Sequence, residues 1–277
     1  MESKVFLITG VSSGLGKAFA QGALAAGHRV IGTLRSAQAV SAFSAHPSDR
    51  ALGVRLDVTD QQAIPNAVAT GERHFGPIDV LVNNAGYGLE GILEETTLEE
   101  VRKQFDANVF GAVGMMKAVL PGMRARRSGR IVNVTSMGGF ITMPGITAYC
   151  GSKFALEGIS EALAKEVKPL GIHVTALAPG QFRTDWAGRS MVRAERSIAD
   201  YDAVMDPIRD ARKSKSGNQR GDPDKAAQAL LKLVASDNPP IRLYLGADAL
   251  KLVGDKIESM REEIAAWETV SRSTDFT

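Results

Sequence analysis

Along the chain, short runs of β-branched and apolar residues alternate with longer stretches whose apolar positions recur every three or four residues. The short runs are Val5–Thr9, Arg29–Thr33, Ala51–Leu56, Val80–Val82, Arg130–Thr135, His173–Ala178 and Arg242–Leu245. The longer stretches include Leu15–Ala26 and Leu98–Met123. A strand that is apolar at successive positions is buried on both faces, which is the pattern of a parallel sheet covered by helices. Strand–helix alternation with right-handed crossovers predicts an α/β fold, a Rossmann-type doubly wound parallel sheet of about seven strands. No internal repeat or low-complexity linker divides the chain, so residues 1–277 read as a single dinucleotide-binding and catalytic domain.

Three segments depart from the rhythm. Pro65 and Gly71 fall inside the helical pattern that begins near Asp60, and an interior proline costs a helix about 3 kcal/mol. That helix is expected to start late or run irregularly. Residues 182–221 carry no clear strand, and a connection of about 40 residues is expected to be a substrate lid. After the last strand, Leu245 to Trp267 predicts a further helix within a C-terminal extension, 246–277. Its polar positions are Lys251, Asp255, Glu258, Arg261 and Glu262, and its apolar side is Leu252, Ile257, Ile264 and Trp267. Such a helix either caps the core or supports oligomerisation.

Composition narrows the classes. Hydrophobic residues make up 44% and charged residues 23%, as in ordinary soluble globular proteins. A net charge of +2 gives no field that would select nucleic acid or an anionic membrane. Cys150 is the one cysteine, which excludes an intrachain disulfide and a Cys-rich metal site, so no metal is expected. The N-terminal apolar run is too short for a signal segment, and no run reaches the length of a membrane span. A cytoplasmic location is the resulting expectation. Arg124-Ala125-Arg126-Arg127 reads as the complement of a helix C-terminus, and Arg212-Lys213-Ser214-Lys215 as a mobile, solvated loop.

Candidate chemistry begins at Thr9-Gly10-Val11-Ser12-Ser13-Gly14-Leu15-Gly16, which closes the first strand and opens a helix. Glycines there let a backbone approach a pyrophosphate, and the helix N-terminus offers free N–H groups. Tyr149 and Lys153 lie four residues apart, one turn of a helix on one face. A nearby cation lowers a phenol's pKa from about 10, so the pair can exchange a proton. An exposed helix surface would show the same pair. Ser136 lies at the end of the candidate strand Ile131–Thr135, where a hydroxyl points into the crevice in which α/β sheets bind ligands.

In order and spacing these residues resemble the short-chain dehydrogenase/reductase family of about 250 residues. The glycine turn is similar to its T-G-x-x-x-G-x-G motif. Leu56-Asp57-Val58, Asn83-Asn84-Ala85-Gly86, Asn108, Ser136, Tyr149 with Lys153, and Pro179-Gly180 with Thr184 follow in the family's order. The resemblance runs from about Lys4 to Thr184. It implies that Tyr149 is the acid/base, that Lys153 lowers its pKa and bonds the nicotinamide ribose, and that Ser136 holds the substrate oxygen. Asn108 would hold a water in a proton relay. Gly10, Ser12, Ser13, Gly14, Leu15 and Gly16 would receive the cofactor phosphates, Asp57 and Val58 its adenine, and Asn84, Ala85 and Gly86 the adenosine side. Pro179, Gly180 and Thr184 would orient the carboxamide, favouring transfer from the pro-S face. A homodimer or homotetramer is also implied.

At the end of the second strand an NAD-preferring site usually places an acidic residue on the ribose 2′-hydroxyl. Here Leu34 occupies that position and Arg35 follows, with a planar fork suited to a 2′-phosphate. NADP is therefore expected over NAD. Gly86–Leu93, Met137–Ile146 and the 182–221 segment are expected to set specificity. Met137, Phe140, Ile141, Met143, Ile146, Phe182, Trp186, Met191 and Met205 suggest a hydrophobic carbonyl or alcohol substrate. A nucleotide-sugar epimerase would use similar Tyr/Lys chemistry, but its usual T-G-x-x-G-x-x-G turn and larger C-terminal domain are absent. A non-catalytic NADP sensor would be expected to lack Tyr149, Lys153 or Ser136.

Overall fold

All seven expected strands form in the computed structural model, which describes residues 2–186, 188–215 and 217–276. They are β1 (Val5–Thr9), β2 (Arg29–Leu34), β3 (Ala51–Arg55), β4 (Val80–Asn83), β6 (Gly129–Val134), β7 (Ile172–Pro179) and β9 (Arg242–Leu245). Two three-residue strands, β5 (Gly88–Glu90) and β8 (Met191–Arg193), make a separate parallel pair. The large sheet runs β3-β2-β1-β4-β6-β7-β9, with every pairing parallel. Winding reverses between β1 and β4, and the crevice outside the carboxyl ends of those strands is where such sheets take ligands.

Nine helices accompany the strands among the described residues: α1 (Gly14–Ala25), α2 (Ala37–Ser44), α3 (Ile64–Phe75), α4 (Leu98–Phe105), α5 (Gly111–Arg126), α6 (Thr147–Val167), α7 (Asp202–Ser214), α8 (Pro223–Ala235) and α9 (Ala247–Arg272). The continuous apolar strands bury both faces. Leu7, Ile31, Leu81 and Ile131 join Ile64, Met115, Met123 and Val167 on the side of α3, α5 and α6. Phe6, Ile8, Val30, Val82 and Val132 join Phe19, Leu24, Leu230 and Val234 on the side of α1 and α8.

The interruptions resolve as local chemistry. Helix α3 starts at Ile64 with Pro65 in its first turn, where a missing N–H costs nothing. Gly71 fits because a Cβ there would press on Ile31. The stretch Leu98–Met123 is not one α-helix: Asp106–Phe110 forms a π turn between α4 and α5, a bulge that often marks functional positions. Arg124 and Arg126 do lie in the last turn of α5.

Residues 182–221 contain more than a coil. Met191–Arg193 is β8, and α7 follows. Three residues with one buried side chain, Met191, are too few to leave a periodic signal, so the expectation of no strand fails there. The segment leaves and returns at one place: Phe182 bridges Gly221, Arg183 N–H donates to Gly221 O at 2.7 Å, and Gly221 N–H donates to Gln181 O at 3.0 Å. The expected solvated loop at 212–215 is also corrected. Arg212 belongs to α7 and forms a 2.9 Å ion pair with buried Glu90, a partner far away in sequence.

Candidate active site

The glycine turn is shaped by contacts that tolerate no side chain. Gly10 and Gly14 have φ of +71° and +57°, and a Cβ on Gly16 would collide with Asn84 Nδ2 and Gly10 O. Asn84 holds this turn to the next strand: its Nδ2 donates to Thr9 O at 2.9 Å and to Gly10 O at 3.2 Å. The Asn84 and Ala85 N–H groups both donate to Thr9 Oγ1 at 2.9 Å. Helix α1 begins behind Ser13, whose side chain makes no capping bond, and its first turn carries no acidic residue. Uncapped N–H groups and the positive end of the helix dipole fit an anion such as a pyrophosphate. Thr184 lies beside this turn, 3.8 Å from where a Cβ on Gly14 would stand.

At the next strand ends, Leu34 is buried, whereas Arg35 and Asp57 are exposed. The Arg35 carbonyl accepts from Arg55 Nε at 3.2 Å. The Arg35 guanidinium makes no hydrogen bond or ion pair with another described residue, leaving its donors free. Ser36 caps α2 directly after it. Asp57 Oδ1 is occupied by Thr59 N–H and Oγ1, at 3.0 and 2.8 Å, which orients the carboxylate. Val58 is buried against Gly111.

Ser136 lies just beyond β6, with its Oγ accepting from Gly138 N–H at 3.0 Å. It interacts with the phenol of Tyr149 near the start of α6. Both residues are buried. Lys153, one turn further along α6, stands with Nζ 5.8 Å from the Tyr149 ring centroid and donates to Val134 O at 2.8 Å. Asn108 sits in the π turn. Its Oδ1 accepts from Tyr87 N–H, and its Nδ2 donates to Tyr87 O and to Ser152 Oγ, each at 3.1 Å. Ser152 in turn donates to Tyr149 O at 2.7 Å. A Cβ on Gly86 would press within 2.8 Å of Asn108 Oδ1, so Gly86 is small to admit this asparagine. The four predicted catalytic positions therefore converge, although the Asn108 side chain is engaged by the protein itself.

Burial dominates the electrostatics of the site. Burial pushes Tyr149 up to about 12, opposed by its hydrogen bond to Ser136. Burial pulls Lys153 down to about 8, opposed by the charge of Glu157. Burial is the largest cause of both shifts, since taking a group out of water disfavours its charged form. Tyr149 is held as a phenol, a proton donor. Glu157, one turn beyond Lys153 and ion-paired with Arg242 at 2.6 Å, carries no motif. Only its four-residue spacing from Lys153 could have drawn attention to it.

The apolar surroundings divide differently from the sequence expectation. Met137, Phe140 and Ile141 pack with Ala249, Val253 and Tyr244, forming the seat of α9 rather than a ligand wall. Met143 and Ile146 pack with Tyr149, Cys150 and Trp186. Trp186 lies over the Tyr149 ring, with centroids 5.1 Å apart at 57°. Met191 and Trp186 would both contact a Cβ on Gly88, and Met205 would contact one on Gly145. Pro179 ends β7, and the adjacent turn is tied to α9 by Gln181 N–H donating to Asp248 Oδ2 at 2.8 Å. A Cβ on Gly180 would collide with that same carboxylate.

Residues 4–193 match the family model described as short chain dehydrogenase. Among curated proteins, "Oxidoreductase BOA17" of Botryotinia fuckeliana is 38% identical over 97% of this chain and 98% of its own. The "3-ketodihydrosphingosine reductase" of Bacteroides thetaiotaomicron is 40% identical over 89% of each. A short-chain dehydrogenase structure from Streptomyces avermitilis superposes with a TM-score of 0.92. It is 43% identical and covers 99% of this chain and 100% of that one.

Proposed function

The chain belongs to the short-chain dehydrogenase family, a family of oxidoreductases acting on CH–OH groups, and we propose that it interconverts a secondary alcohol and a ketone or aldehyde by hydride transfer with NADP(H). The observation that carries this reading is Tyr149, buried as a phenol and joined to Ser136, at the mouth of a sheet whose glycine turn offers uncapped N–H groups. The nicotinamide cofactor supplies the hydride when bound.

The chain's own residues supply the rest. The first turn of α1 receives the diphosphate, Asp57 and Val58 flank the adenine, and the free guanidinium of Arg35 takes the 2′-phosphate. Asn84, Ala85 and Gly86 line the adenosine side, and Pro179, Gly180 and Thr184 border the nicotinamide. Ser136 donates a hydrogen bond to the substrate oxygen, polarising the carbonyl. Tyr149 transfers its phenolic proton to that oxygen during reduction and takes it back during oxidation. Lys153 bonds the ribose with its ammonium, and its charge favours the phenolate left after proton transfer. Asn108 holds Tyr87 and Ser152 in register on the route by which a proton returns to Lys153.

The 182–221 segment acts as a lid, with Trp186 covering the phenol until substrate displaces it. Met143, Met191 and Met205 give the lid side a deformable apolar lining, suited to a hydrophobic carbonyl compound. The Bacteroides relative bears the name of a 3-ketodihydrosphingosine reductase, which agrees with a keto substrate at this site.

The test is Tyr149→Phe in the reductive direction, followed by loss of NADPH absorbance with a panel of hydrophobic ketones. Turnover is expected to fall by roughly 10²–10⁴, with NADPH affinity unchanged. A variant that keeps parental turnover would remove Tyr149 from the mechanism. Tight NADPH binding with no turnover by the parent chain would replace the enzyme reading with a sensor.

A further inference from the structure

Helix α9 begins on the body of the protein and then leaves it. Ala249 and Val253 are buried among Met137, Ile141 and Tyr244, but from Ile257 onward every described residue of the helix is exposed. At 1.5 Å per residue, the segment 254–272 projects about 28 Å. A helix of that length without tertiary packing is marginal in water.

Its apolar positions are ordered. After the buried Val253 come the exposed Ile257, Met260, Ile264 and Trp267, at intervals of four, three, four and three residues, the repeat of a coiled-coil seam. Ile264 is 68% exposed and Trp267 65%, a concentration of bare apolar surface along one stripe that marks an interaction site.

The charges beside the seam select the partner and its direction. Lys256 and Glu263 lie on one flank, directly before Ile257 and Ile264; Arg261 and Glu268 lie on the other, directly after Met260 and Trp267. A parallel pair of identical helices would bring Lys256 against Arg261 of the other copy, and Glu263 against Glu268, like charges both times. An antiparallel pair sets each flank against its own reverse, so that Lys256 faces Glu263 and Arg261 faces Glu268. The ion pairs within the helix, Arg261 with Glu258 at 3.4 Å and Arg272 with Glu268 at 2.8 Å, are solvent-exposed and too weak to hold these side chains from a partner.

We propose that α9 is a self-association device: the helices of two copies pair antiparallel through Ile257, Met260, Ile264 and Trp267. The contact lies away from the Tyr149 site and is independent of which substrate that site takes.

Light scattering on the full chain tests it. A Met260→Glu, Ile264→Glu variant is expected to show half the parent's molar mass, with NADPH turnover per chain retained; an unchanged mass overturns the proposal. Direction is read from spin labels at Asp255→Cys, Glu262→Cys and Thr269→Cys, one heptad apart on the outer face, the native Cys150 being buried. An antiparallel pair gives the shortest separation at position 262 and longer ones at 255 and 269. Equal separations at all three, or no coupling at any, overturn it.

Discussion

Tyr149 and Lys153 are displaced from their ordinary values in opposite directions by the same burial. In the unfolded chain Lys153 keeps its proton to about 10.5, whereas in the fold it gives it up near 8. Between those values the unfolded state binds more protons, so stability from this group rises with pH. Tyr149 acts in the opposite sense: from about 10 to 12 the fold retains a proton that the unfolded chain has lost, and stability falls. Replacing Lys153 by Met is therefore expected to flatten the rise in thermal midpoint between about pH 8 and 10. Melting curves across that range check it, and an unaltered slope would show that the buried ammonium is not its source. Cofactor choice also belongs to single residues. Arg35→Ala is expected to raise KM for NADP by tenfold or more, about 1.4 kcal/mol, with little effect for NAD, as steady-state kinetics with both cofactors would reveal. The motif residues were legible in the sequence because each is required by backbone shape or by chemistry. Glu157 was not, since its influence on Lys153 acts through space from an unremarkable helix position.

Elements were legible where many residues share one periodicity. The inner strands β1, β2, β4, β6 and β7 are buried almost throughout and announce themselves, while the three-residue β8 and the π turn at Asp106–Phe110 depend on tertiary partners. Helix α7 shows what local reading loses. Its Arg212 looked solvated, yet it is only slightly exposed and also donates to Pro144 O at 3.3 Å. Arg209 similarly approaches Glu95 at 3.9 Å, and Glu95 accepts from the Ser197 and Ile198 N–H groups at 2.9 and 3.0 Å. These contacts strap the returning segment to the end of β5, to Glu95 beyond it and to Pro144. Removing one member of a buried pair costs about 3–5 kcal/mol; Arg193, 4.0 Å from Glu90, should hold Arg212→Met to the lower end. Its thermal midpoint should drop and limited proteolysis within 182–221 should accelerate; unchanged cleavage would mean that the strap does not depend on this ion pair.

At the level of the whole molecule, the parallel doubly wound sheet was readable because right-handed crossovers leave few ways to wind alternating strands and helices. Reversal of that winding between β1 and β4 gathers residues from remote parts of the chain at one edge. That edge carries the glycine turn, Asn84, Ser136 and Pro179, so the gathering of these motif residues was legible from the strand ends they follow. The substrate side could not, because Met137, Phe140 and Ile141 turned out to be the seat of α9, a role that depends on a helix more than a hundred residues away. Among the described residues, no helix is long and apolar enough to cross a membrane.

The meeting of Phe182 with Gly221 has a consequence for descent. Because the excursion over the site departs and returns at one point, lengthening it adds little closure entropy, about 0.6 kcal/mol for each doubling, and leaves the strands beneath it where they are. The sheet and the excursion above it can therefore vary as separate inheritances. One is held fixed by its packed strands; the other is free to be rewritten without refolding the sheet.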